Sequence, residues 1–189
     1  MTQDRTHSTL RVSFDADQIS DQLLWSLDEG GLERPDGAYA GALRFYPGQS
    51  LRLEVSGGAT LISGFLSFQI VDCCFITRPQ VVNCGAERRT RYAPPSPFLQ
   101  AVGGSFPLEL DFSSRVAERE DLSYRKIVQS WKRTLDIGQS SGRWELSFNI
   151  TVRIVRADQN TEVRVFQFDP ESEVGTGARP PQDNATLPR

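Results

Sequence analysis

Residues 144–154 read WELSFNITVRI, and this stretch decides the fold. Trp144, Leu146, Phe148, Ile150, Val152 and Ile154 fall on one side of an extended chain, with Glu145, Ser147, Asn149, Thr151 and Arg153 on the other. A period of two is the signature of a strand with one face buried. RADQNTE (156–162) then supplies turn formers, and VRVFQF resumes with β-branched and aromatic residues. Pro170, which has no N–H to give to a ladder, stops it. The spacing predicts a long antiparallel hairpin over 144–168.

The same period recurs on either side. Leu10, Val12 and Phe14 alternate, as do Leu43 and Phe45, then Leu51, Leu53 and Val55, with PGQS (47–50) as the turn between the last two runs. Phe106, Leu108, Leu110 and Phe112 alternate again. LISGFLSFQIVDCCFI (61–76) is apolar nearly throughout, which fits a strand buried on both faces or a strand with a bulge. Between Leu122 and Ile137, Ile127, Val128, Trp131 and Leu135 fit a helix face, but every neighbouring segment argues for strand, and strand is the reading taken. The expectation is an all-β chain: an antiparallel β-sandwich of about eight strands with at most one or two short helices, one of them over Asp17–Leu27. Residues 1–170 form the single domain, and 171–189, rich in Gly, Pro and polar residues without period, form a flexible tail.

Composition narrows the partners. With 21 basic against 24 acidic residues the net charge is -3, so no global field draws the chain to nucleic acid or an anionic bilayer. Nothing in MTQDRTHSTLRVSF resembles the apolar run of a signal peptide, and no stretch approaches the length of a membrane-spanning helix, so a cytoplasmic setting is expected. Cys73 and Cys74 are adjacent and point to opposite strand faces, while Cys84 has no partner at a useful spacing; all three read as reduced packing residues.

Motifs that carry chemistry mostly fail their context. Gly138, Ser140 and Gly142 match G-x-S-x-G, but that elbow needs a strand before and a helix after, and a strand follows here. The chain's one histidine, His7, lies far upstream, so a triad has no base. Ser123 and Lys126 have the serine–lysine spacing without its companion elements. There is no phosphate-cradling glycine loop, and one histidine with an adjacent cysteine pair makes a poor zinc set. Asp158, Asn160 and Glu162 echo part of a calcium loop but suit a hairpin turn. RRTRY (88–92) is one short basic cluster in an acidic chain and reads as a loop. No catalytic residue and no cofactor is nominated.

Three features together resemble the AidA/PixA family of bacterial inclusion-body-type proteins: FDADQI (14–19) ending the first strand, APPSPF (93–98), and the closing WELSFNITVRI…VFQFDP hairpin with Phe168, Asp169 and Pro170 at its final turn. The resemblance covers about half the chain in patches. It implies a β-sandwich of bacterial cytoplasmic origin without established enzymatic activity, and some members are similar to sugar-binding proteins. Two non-catalytic readings follow. A carbohydrate-binding module would gather aromatic and acidic groups in one concavity, and Asp15, Asp17, Tyr39 and Tyr92 are the nominated ligand-binding residues, flanked by the long connections 28–41 and 77–104. Trp25 and Trp131 are further stacking candidates. A self-associating structural protein would instead expose apolar surface or a strand edge.

Overall fold

In the computed structural model, which describes residues 7–28, 43–83, 90–117, 123–169 and 171–174, the predicted hairpin is the spine of one sheet. Strand β12 (Gly142–Arg156) pairs antiparallel with β13 (Thr161–Phe168) from Phe148↔Phe168 to Val155↔Thr161. Every even-numbered residue of β12 from Trp144 to Ile154 is buried. The other edge of β12 pairs with β5 (Phe65–Pro79). Val71 and Leu66 are skipped in that ladder, so β5 carries two bulges. The first resets the side-chain phase, which is why Ile70 and Cys73, three residues apart, both point inward. Of the two sequence readings of this run, the bulged strand is the one found; Leu66 and Ile76 are exposed, so it is not buried on both faces.

Two sheets face each other. The first has the order β2 (Leu24–Asp28), β1 (His7–Asp15), β4 (Ser50–Thr60), β10 (Tyr124–Trp131) and β9 (Phe112–Val116), with β11 (Leu135–Asp136) also on β4. The second has β3 (Leu43–Phe45), β14 (Glu171–Val174), β12, β5 and β8 (Ser105–Pro107), with β13 also on β12. A small third sheet joins β6 (Val81–Asn83) to β7 (Thr90–Tyr92). Aromatic rings lock the two large layers: Phe14 of β1 stacks on Phe166 of β13 at 4.6 Å and meets Phe68 of β5 edge-on at 5.1 Å.

Several expectations are corrected. Asp17–Leu27 is a turn followed by β2, with no helix; residues 21–23 cross to the other sheet, where Leu23 donates its N–H to Gln167 O and Gln167 donates to Asp21 O. A segment tied to strands on both sides has its main-chain groups spoken for, and the helix loses. The sandwich is not purely antiparallel, since β1 runs parallel to β4 and β3 parallel to β14. The described residues hold fourteen strands, well above the eight expected, because the predicted run 106–112 breaks into β8 and β9 and the long connections carry short strands of their own. Finally, residues 171–174, assigned to the tail, form β14, which pairs with both β12 and β3 and buries Ser172 and Val174.

Candidate functional site

β1 ends at Asp15, and the chain turns there. Asp15 Oδ1 accepts the Asp17 N–H at 2.8 Å, closing an Asx turn, while Asp15 Oδ2 accepts the Tyr124 hydroxyl at 3.3 Å. Because β1 stops at Asp15, Asp17 lies in the turn beyond it. Its carboxylate takes Arg156 Nη1 at 2.9 Å. That guanidinium also donates to the carbonyls of Ser63 and Ala16 at 3.1 Å each, so it fastens the turn after β1 to the 3-10 turn Leu61–Ser63. Arg164 performs a parallel task, donating to the carbonyls of Gln18, Ile19 and Ser20 while its guanidinium lies over Phe166. Both nominated carboxylates are therefore engaged by the protein itself.

Tyr124 occupies the outer side of the same end. Its ring lies against Gly58, where a Cβ would come within 2.5 Å of it, and Gly58 is the β4 partner of Asp15. The neighbouring Gly57 does the same for the interior: a Cβ there would come within 2.5 Å of the Phe14 ring. A glycine pair in mid-strand thus admits one aromatic ring on each face.

The nominated loops leave from the opposite end. Asp28 of β2 stands beside Thr9, six residues up β1 from Asp15, a separation of about 20 Å along the strand. Pro79 closes β5 at that same upper end, opposite Trp144, whereas Phe65 and Arg156 mark the lower one. Asp15 and Asp17 therefore lie at the other end of the strands from the points where the two connections leave, and residues 29–42 and 84–89 of those connections lie outside the described residues. Tyr39 lies outside the described residues, and of Tyr92 only its backbone place in β7 is described. The described part of the second connection is fastened down: Trp144 Nε1 donates to Pro94 O at 2.7 Å, Thr77 Oγ1 to Pro95 O at 2.9 Å, and Phe98 inserts its ring between Phe45 and Phe75. The APPSPF segment is a plug for the core. Trp25 stacks on Phe168, and Trp131 is buried with its Nε1 donating to Glu109 O, so both serve packing.

Among its exposed residues the lower end also carries two large apolar side chains. Ile19 is 100% exposed and Ile62 is 99% exposed, on the two loops that Arg156 joins. The sequence pattern places Ile62 in the strand run 61–76 and Ile19 in the expected helix over Asp17–Leu27, so it singles out neither as surface. Among the described residues no group of three or more histidine, cysteine or acidic side chains is placed to hold a metal, and no helix is long and apolar enough to cross a membrane. The segment 138–142 joins β11 to β12 and is not followed by a helix. Comparison with protein-family models, with curated proteins and with solved structures found no match.

Proposed function

We propose that this protein is a non-catalytic, self-associating structural protein built on a rigid sandwich. The observation that carries the reading is the contrast between spent polar groups and idle apolar ones: Asp15 and Asp17 are bonded internally, while Ile19, Ile62, Val163 and Val165 stand in solvent. Large apolar side chains fixed on stapled loops and strands lose little conformational entropy when covered, which favours a protein contact. The resemblance of the closing hairpin to inclusion-body-type proteins supports the same reading. Sedimentation velocity over a range of concentrations tests it: a concentration-dependent rise in mass is expected, and a monomer throughout would overturn it.

A second reading has one observation in its favour. The Tyr124 ring over Gly58, with Asp15 at its hydroxyl, is an aromatic face beside a carboxylate, the pairing that a polyhydroxylated ligand uses. Calorimetric titration with simple hexoses, in wild type and Tyr124→Ala, tests that platform; heat that is absent, or unchanged by the substitution, removes it.

A further inference from the structure

We propose that the free edge of β13 is the self-association surface, and that a second copy of this chain pairs with it antiparallel about a twofold axis at Val163. The proposal rests on the self-association reading and names its interface.

The ladder fixes which groups are available. Arg156 N donates to Asn160 O, so in β13 the even-numbered residues direct their main-chain groups to β12 and the odd-numbered ones direct theirs away. Gln167 obeys this rule, and its outward groups are taken by Asp21 and Leu23. That cover stops there. Residues 18–20 meet β13 through the Arg164 guanidinium rather than through its backbone. The main-chain groups of Thr161, Val163 and Val165 therefore have no partner among the described residues. Beside them the side chains of Val163 and Val165 are 60% and 57% exposed.

The sequence TEVRV (161–165) is complementary to itself in only one sense of pairing. Run antiparallel about Val163, it sets Val163 against Val163 of the second copy and Thr161 against its Val165, a continuous β-branched stripe on the outer face. On the other face it sets Glu162 against Arg164 of the second copy, opposite charges across the strand pair. Parallel pairing in register would instead put Glu162 against Glu162 and Arg164 against Arg164. The three outward residues of each copy supply about six main-chain hydrogen bonds. Of the other edge strands, β2, β3, β8 and β9, β3 and β8 span three residues each, and β9 offers Ser113, Ser114 and Arg115 over five residues, a short polar edge of the kind that resists pairing.

The test compares wild type, Val163→Lys and, on the rival edge, Ser114→Lys by sedimentation velocity, with circular dichroism as the fold control. Val163→Lys is expected to weaken association by about 30-fold or more, the size of a central interface residue, and Ser114→Lys to leave it unchanged. A second variant needs no loss of fold to be informative: directly opposed residues lie about 5.5 Å apart at Cα, within disulfide reach, so Val163→Cys should form a covalent dimer under mild oxidation that wild type, with its own cysteines, does not. An oligomer indifferent to Val163→Lys, or a Val163→Cys variant that does not cross-link, overturns this edge and leaves the self-association reading standing. A wild-type monomer at every concentration overturns both.

Discussion

Phe148 and Asn149 are neighbours in the chain with opposite surroundings. Phe148 is fully buried between Phe75 and Phe168, with ring centroids 4.7 and 5.6 Å away, while Asn149 stands on the outer face of β12. Phe148→Ala should cost about 3–5 kcal/mol in chemical denaturation, and Asn149→Ala a few tenths at most. Equal losses would mean that the alternation does not face the core as described. Cys73 offers a chemical check on the same face: burial raises its thiol pKa far above the ordinary range, with Asp72 and Cys74 adding to the rise. It should stay unmodified by a maleimide in the native state across neutral to mildly alkaline pH and react only on unfolding, as peptide mapping would detect. Residue alternation was legible in the sequence because it is local. The fate of Asp17 was not, since its partner Arg156 lies 139 positions away and nothing near Asp17 announces it. A separation of 109 positions likewise hid Tyr124 behind Asp15.

Among the elements, β4 and β10 show where local pattern and tertiary demand part. Gly57 and Gly58 are poor strand formers, yet rings of Phe14 and Tyr124 occupy the space on either side, so Gly57→Val should overpack the core and lower stability by about 1–3 kcal/mol. Gln129 of β10 points inward, opposite Val55, and its Nε2 donates to Phe68 O of the facing sheet at 2.7 Å. Gln129→Leu should leave that buried carbonyl unpaired and cost about 1–3 kcal/mol, although the pattern alone would rate leucine an improvement. Thermal unfolding of the two variants decides both claims. The long hairpin, β4 and β10 were all visible as strands. β2 was not, because LLWSL satisfies a helix as easily as a strand until its partner β1 is known. Nor were the parallel pairings, since a strand's sequence records which face is buried and not which neighbour lies beside it.

At the scale of the whole molecule, the described residues form two aromatic-locked layers of strands with no α-helix, and far-ultraviolet circular dichroism should give a β spectrum; helix content above about a third would contradict the fold. Chemistry at the Gly138–Gly142 turn is excluded as a prediction too: Ser140→Ala should alter no hydrolytic activity, because the turn runs into strand β12 where a nucleophile elbow needs a helix. The class of fold was therefore readable from periodicity, while the site was not, since it depends on which strand ends meet. The pairing of β3 with β14 reaches further than the native state. Leu43–Phe45 hold their place in the sheet only through Ser172–Val174, so an early piece of the chain waits for almost the last described one. During synthesis that wait lasts roughly ten seconds, and β5 likewise stands without β12 for much of it. Closing such long loops before any reward makes folding slow, on the order of milliseconds to seconds once the chain is complete. A chain that stops between residues 168 and 171 would leave two edges unmatched, β3 and the 142–145 end of β12, and trimming the chain at 170 should release β3.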